Sequence, residues 1–177
     1  MSSTAGLAEK YKPSVLHVGC GPTHLPEWLG ACDETRLDAD PAVSPDIVAN
    51  MTSLGDIGPY DSVFCSHALE HLCPRDVLIA LGEFNRVLRP GGTAVVMVPD
   101  LEDVKPTWDV VYDSPAGPIT GHDMYYGHTA MSEDNPFMRH LSGFVKDSLE
   151  SAFTQAGFTS VSVTRMAGFN LCAIGVK

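Results

Sequence analysis

Basic residues are scarce in this 177-residue chain: eleven Lys and Arg stand against 22 Asp and Glu, for a formal charge of −11. Affinity for a nucleic-acid backbone depends on clustered Lys and Arg that displace counterions. Here Lys10, Lys12, Arg36, Arg75 and Arg86 are scattered and form no run, so no nucleic-acid partner is expected. Long apolar runs are missing as well. No segment approaches the roughly 18 apolar residues of a membrane span, and Met1 to Pro13 has no apolar core of signal-peptide length. The expectation is a cytoplasmic chain without membrane contact, complete or nearly so.

The five cysteines (Cys20, Cys32, Cys65, Cys73, Cys172) are far apart, odd in number and form no CxxC. That pattern suits free thiols in a reducing compartment and excludes a disulfide framework. Repeats and low-complexity tracts are also absent. What is present, 44% hydrophobic and 19% charged residues, is the ordinary composition of one globular domain over residues 1–177.

After a polar lead-in over residues 1–12, Ser14 to Gly19 reads as a strand buried on both faces. It runs into Gly19-Cys20-Gly21-Pro22, a turn that lets backbone pass close under a ligand. His24 stands where the third glycine of a dinucleotide fingerprint would fall. A pyrophosphate needs close contact with a helix start, whereas a nucleoside without phosphates does not.

His24 to Leu29 reads as a helical turn, and residues 36–39 and 47–49 as two short strands. A parallel crossover normally needs about a dozen residues, yet this gap holds seven, including Pro41 and Pro45. Either the usual helix is deleted or one strand is not a strand. Asp61 to Ser66 is a further strand. Pro74 suits a first helical turn, Val77, Leu81, Phe84 and Leu88 recur at helical spacing, and Pro90-Gly91-Gly92 stops the helix. Thr93 to Val98 then completes a right-handed βαβ unit.

Residues 100–143 carry Pro, Gly, His, Tyr and Met without either period, the mark of a functional or disordered loop. Leu149, Ala152, Phe153 and Ala156 form a helix face ended by Gly157. Strands over 160–165 and 171–176 follow, and the Gly168-Phe169-Asn170 link makes the last one antiparallel. The fold expected is α/β, Rossmann-like and doubly wound, with a mostly parallel sheet of about seven strands and an antiparallel C-terminal strand.

Open α/β sheets bind ligands beyond the carboxyl ends of their strands. Gly19-Cys20-Gly21, Asp38, Asn50-Met51 and Ser66-His67 all fall at such ends. A carboxylate 17 residues after Gly21 can accept two hydrogen bonds from a ribose diol, Asn50 can bond an adenine edge, and Met51 can pack on its face. Asp40 competes for the ribose role or caps the following turn, and Met51 is equally suited to the core.

Five words carry a family resemblance: Leu16-His-Val-Gly-Cys-Gly-Pro22, Arg36-Leu-Asp-Ala-Asp-Pro41, Asp46-Ile-Val-Ala-Asn50, Ser66-His-Ala-Leu-Glu-His-Leu72, and Arg86-Val-Leu-Arg-Pro-Gly-Gly92 before Val95-Val-Met-Val-Pro99. The chain resembles the class I S-adenosylmethionine-dependent methyltransferases, in particular the small bacterial members of the broad methyltransferase-domain group. The resemblance implies a cofactor-binding half (13–100), an acceptor-side insertion (101–143) and a C-terminal helix and hairpin (144–177).

The cofactor-binding set that the resemblance implies is His17, Gly19, Cys20, Gly21, Asp38, Ala39, Asn50, Met51, Ser66 and His67. Gly19 and Gly21 would pass under the methionine part, Asp38 would hold the ribose hydroxyls, and Asn50 would take the adenine amino group with Met51 nearby. Ser66 and His67 would close over the sulfur side. Two departures from the family stand out: no room for the usual helix between the second and third strands, and an N-terminal lid of only about a dozen residues.

A sulfonium is an activated methyl donor, so such an enzyme mainly holds a nucleophile in line, an effect able to supply roughly 7–11 kcal/mol. A general base is needed only for a hydroxyl or a protonated amine. The catalytic candidates are His67, His71 and His128, with His122 and His140 also in the insertion. A packed helix position for His71 and plain exposure for each loop histidine are the competing readings. His122-Asp123, His128 and His140 lack the short local pairs of a zinc site, so no metal is expected. Asn135-Pro136-Phe137 lies some seventy residues past the place of the Asn-Pro-Pro-Tyr word of DNA amino-methyltransferases and is discounted. Tyr125, Tyr126, Phe137 and Met138 line an acceptor pocket or cover the sheet edge.

The function expected is methyl transfer from S-adenosylmethionine to a small-molecule or sugar-like acceptor by in-line displacement. The alternatives are a non-catalytic binding subunit of the same fold and an NAD-dependent oxidoreductase, against which His24 counts.

Overall fold

Apolar side chains concentrate where the central strands run. The computed structural model describes residues 11–114, 117–129, 131 and 135–177, so most of the polar lead-in lies outside the described residues. β1 (Ser14–Val18) is buried along nearly its whole length. It pairs in parallel with β2 (Asp33–Asp38) on one side and β4 (Tyr60–Ser66) on the other. β3 (Ile47–Val48) joins the outer edge of β2, and β5 (Leu88–Pro99) lies parallel to β4. β9 (Asn170–Val176) runs antiparallel to both β5 and β8 (Ser160–Met166). The resulting seven-stranded order is β3-β2-β1-β4-β5-β9-β8. This is the expected α/β fold with its mostly parallel sheet and antiparallel last strand.

Strand alternation sends Leu16, Val18, Val63, Cys65, Ala94, Val96 and Val98 to one face. There they meet α1 (Pro74–Val87) through Val77, Leu81 and Phe84, and α3 (Lys146–Gln155) through Leu149 and Phe153. Burial of this many aliphatic and aromatic groups is the main source of stability. Pro74 occupies the first turn of α1, where its missing N–H costs nothing. At the opposite end of the sheet, Asp61 accepts from the Ser14 amide (2.7 Å) and hydroxyl (2.9 Å) and pairs with Arg89, tying β1, β4 and β5 together. No helix among the described residues is long and apolar enough to cross a membrane.

The structure decides three local readings, the first in favour of the deleted helix. β2 and β3 are both strands and are neighbours, so the crossover helix is the missing element. A single 3-10 turn over Pro41–Val43 replaces it, capped by Asp40, whose Oδ1 accepts from Ala42 N at 2.9 Å. The Pro90-Gly91-Gly92 word does not follow the helix as a stop, because β5 already starts at Leu88 opposite Tyr60. Gly92 is needed inside that strand, since a Cβ there would stand 2.9 Å from the Asp61 carbonyl oxygen.

Finally, the segment read as a structureless loop is built. β6 (Val110–Ser114) and β7 (Gly117–Thr120) form a two-stranded antiparallel sheet, followed by α2 (Gly121–Tyr126). Leu101, Val104, Ile119 and Met124 give it a small core of its own. Its helix starts in a reciprocal capping box between Thr120 and Asp123.

Candidate active site

The loop after β1 is held from three sides. Gly19 and Gly21 both take positive φ, +64° and +51°, which side-chain-bearing residues rarely adopt. Gly21 N–H donates to Asp38 Oδ2 at 2.8 Å, and Asp40 N–H donates to Asp38 Oδ1 at 2.9 Å. A carboxylate offers about four lone-pair sites, so two remain at the carboxyl end of β2. Arg36 staples the loop from its other side, donating to the carbonyls of Gly21 (2.6 Å), Thr23 (3.2 Å) and Ser44 (3.0 Å). Cys20 is buried beneath, and burial pushes its thiol pKa up, which keeps it protonated and inert.

Glu34 fixes the continuation of the loop. It accepts from Leu25 N at 3.0 Å and pairs with Nδ1 of His17 at 2.8 Å and Nδ1 of His24 at 2.7 Å. Burial lowers the His17 pKa despite this partner. Burial alone would raise the pKa of Glu34, but the two imidazoles and the Leu25 amide outweigh it and hold it low. His17 and Trp28 both meet Phe64 edge-on, with centroids 5.4 and 6.1 Å apart. These groups, with Gly19, Ser66 and Met97, enclose a cavity of about 270 Å³ beside the ends of β1, β4 and β5.

The end of β4 turns sharply. His67 has φ +50°, a strained value for a residue with a side chain. The turn brings Ala68 against Gly19 and presents His67 half exposed, its Nδ1 3.5 Å from Glu70 Oε1. Burial disfavours the charged form of His67, yet Glu70 and Asn170 together raise its pKa. His71 engages the Arg139 carbonyl through Nδ1 at 3.0 Å, and His140 engages the Met124 carbonyl through Nδ1 at 2.9 Å. The His71 and His140 rings lie 5.1 Å apart, so a helix-side residue and an insertion residue meet beside Glu70.

Beyond His140 a second cavity of about 560 Å³ opens, walled by Leu101, Tyr125, Tyr126, His140, Phe144 and Ser148. Tyr125 and Tyr126 thus line a pocket, while Phe137 is exposed and is not part of its wall. His122 stacks on Trp108 at 4.0 Å. No hydrogen bond, ion pair or ring contact among the described residues joins His128 to the His67, His71 and His140 group; its Nδ1 is buried without a hydrogen-bond partner.

Asn50 follows β3. Asn50 Oδ1 already accepts from the Thr52 amide (3.0 Å) and hydroxyl (2.9 Å). An amide oxygen has two lone pairs, so both are taken and the Nδ2 group is the remaining polar end of the side chain. Met51 packs against the main core and also nears Gly19, so it serves the core and borders the loop. Ala39 is exposed beside Asp38. Sequence reasoning missed Glu34, Trp28 and Glu70. Glu34 alternates with Arg36 on the strand face that carries Asp38, a pattern visible in the sequence; Glu70 gives no such signal.

A profile of the methyltransferase domain matches residues 3–163. A direct search finds no match among curated proteins. Among solved structures, the S-adenosylmethionine-dependent methyltransferase SibL, in its apo form, is similar at 20% identity and a TM-score of 0.65, over 94% of this chain and 50% of SibL. The chain therefore spans half the length of that relative. The Burkholderia thailandensis 1,6-didemethyltoxoflavin-N1-methyltransferase, solved with 1,6-didemethyltoxoflavin and S-adenosylhomocysteine, is similar at 17% identity and a TM-score of 0.63, over 94% of this chain and 71% of that one. An S-adenosylmethionine-dependent methyltransferase from Mesorhizobium loti is similar at 15% identity and a TM-score of 0.67, over 94% and 91%. At these identities the likeness is one of fold. The matched profile spans most of the chain and agrees with the strand order, so the chain belongs to the methyltransferase-domain family of class I S-adenosylmethionine-dependent methyltransferases.

Proposed function

We propose that the chain transfers a methyl group from S-adenosylmethionine to a small-molecule or sugar-like acceptor by in-line displacement, with the acceptor held between the end of β4 and the insertion. The observation that carries this reading is the Asp38 carboxylate. It fixes the glycine loop through Gly21 N–H and keeps two lone-pair sites for a ribose diol. The residues present fit the cofactor: a Cβ on Gly21 would meet nothing within 4 Å, so the loop leaves space where a nucleoside would lie.

When bound, the cofactor supplies an activated methyl on sulfur. Everything else falls to the chain's own groups. Asp38 accepts from the ribose, and Asn50 Nδ2 donates to a ring nitrogen of adenine in place of the amino-group contact expected from the resemblance. His17, Cys20 and Ser66 flank the loop, and Ala39 borders the ribose side. The cavity of about 560 Å³, with its two tyrosines and Phe144, suits one ring-sized acceptor. Among the imidazoles, His67 is placed best to take a proton from that acceptor: it is half exposed and stands at the strand end. His71 has its Nδ1 on a carbonyl, and the Nδ1 of His128 is buried.

An oxidoreductase reading loses its anion site. After Gly21 the chain makes only a 3-10 turn over Glu27–Leu29, so no α-helix N-terminus follows the loop to meet a pyrophosphate. The test is calorimetry of the intact chain with S-adenosylhomocysteine. Saturable one-to-one binding is expected, and a flat titration at millimolar ligand would overturn the reading.

A further inference from the structure

Glu70 is 1% exposed; neither oxygen of its carboxylate has a hydrogen-bond partner, and its one ion-pair neighbour among the described residues is the half-exposed His67, with Nδ1 3.5 Å from Oε1. A buried carboxylate left this way is costly unless a cation completes it. Two imidazoles lie beside it. His71 and His140 each engage a main-chain carbonyl through Nδ1, which fixes the Nδ1–H tautomer and leaves the Nε2 lone pair available. One donor atom from each of Glu70, His71 and His140 lies within 4.8 Å of the others. We propose that Glu70, His71 and His140 together bind one divalent transition-metal ion of the zinc and cobalt class.

The donor set fits that class, since imidazole and carboxylate ligands suit zinc, cobalt and iron, and two histidines with one glutamate are an established catalytic zinc set. At bond lengths of about 2.0–2.2 Å, tetrahedral donors stand roughly 3.4 Å apart, a contraction that small side-chain rotations supply. The ion does not have to assemble the site. Leu141 N and Ser142 N donate to the Glu70 carbonyl at 2.9 and 3.1 Å, so the two segments are already pinned side by side.

Three protein ligands leave at least one coordination position open. His140 also lines the larger cavity. Resting on the methyl-transfer reading above, the ion therefore selects an acceptor that offers it an oxygen ligand.

The test titrates the chelator-dialysed full chain with Co2+, read by visible absorption. One equivalent giving the d–d bands of a four- or five-coordinate site is expected. His140→Ala is expected to raise the Kd at least about tenfold. His24→Ala, which removes an exposed imidazole paired with Glu34, is expected to leave it unchanged. Glu70→Gln keeps the side-chain volume and removes the buried charge, so the metal-free variant should keep the native circular-dichroism spectrum and a cooperative unfolding transition although Co2+ binding is lost; this separates a lost ligand from a lost fold. Acetohydroxamate, a bidentate oxygen ligand, is expected to shift the bands, and unchanged bands would contradict the open position. Binding that is absent, or that survives both His140→Ala and Glu70→Gln, overturns the site. Calorimetry with S-adenosylhomocysteine on the same samples keeps the two readings separate: Co2+ binding without nucleoside binding retains the metal site and removes the methyl-transfer reading.

Discussion

Gly19 and Ala68 meet so closely that a Cβ built on Gly19 would stand 2.4 Å from the Ala68 Cβ. The loop after β1 and the turn after β4 are therefore one packed unit, and Gly19 is required as much by its protein neighbour as by any ligand. Gly21, with the same handedness of φ, has open space instead.

Gly19→Ala is accordingly expected to cost about 2–5 kcal/mol, the sum of left-handed strain and overpacking. In a domain of this size that is roughly 5–15 °C in Tm. Gly21→Ala carries only the strain, about 1–2 kcal/mol. Thermal unfolding of the two variants checks the difference, and equal losses would contradict the packing account.

Asp123 sets an acid limit for the insertion. Burial alone would raise its pKa, but hydrogen bonds from Thr120 and Thr129 hold it down at about 2. A depressed carboxylate contributes stability that is fully present above its unfolded pKa of about 3.9 and is lost as pH falls through the folded value. The contribution is on the order of 2 kcal/mol. Trp108, stacked on His122 near this helix, reports the change. Its fluorescence should shift between about pH 4 and pH 2, and Asp123→Asn should remove that dependence while lowering Tm at neutral pH.

How far the sequence could be read follows from how local each feature is. β1, β4 and the heart of β5 are short apolar runs with clear ends, and α1 keeps its period from Val77 to Phe84; all were legible. β2 extends back to Asp33 through a polar stretch, because an inner strand near the sheet edge alternates Glu34 and Arg36 on one face with Thr35 and Leu37 on the other. The Thr120-x-x-Asp123 capping box was present in the sequence, but its helix is only six residues long and gives no period. The cofactor residues were legible as candidates because most of them end or follow a strand: Asp38 ends β2, Ser66 ends β4 and Gly19 follows β1. The approach of Glu70 and His140 was not: they are 70 positions apart, and the hydrogen bonds from Leu141 and Ser142 that bring them together come mainly from main-chain amides.

Arg165 anchors the start of the insertion. Its Nε donates to Asp100 at 2.5 Å and its Nη2 to Asp103 at 2.6 Å, with Asp100 buried and the arginine partly exposed. Arg165→Ala leaves the Asp100 carboxylate buried without this donor and is expected to lower Tm. In a double-mutant cycle, adding Asp100→Asn should recover part of the loss in Tm. Strict additivity of the two substitutions would contradict the coupling.

The central claim is that Asp38 is the ribose acceptor and the anchor of the glycine loop. Its direct measurement is calorimetry of S-adenosylhomocysteine binding to Asp38→Ala beside Asp40→Ala. Asp40 caps the Pro41–Val43 turn, so its loss should change affinity by no more than about threefold, under 1 kcal/mol. Loss of Asp38 should weaken binding at least about tenfold, or 1.4 kcal/mol. Unchanged affinity in Asp38→Ala, or an equal loss in both variants, would contradict the account.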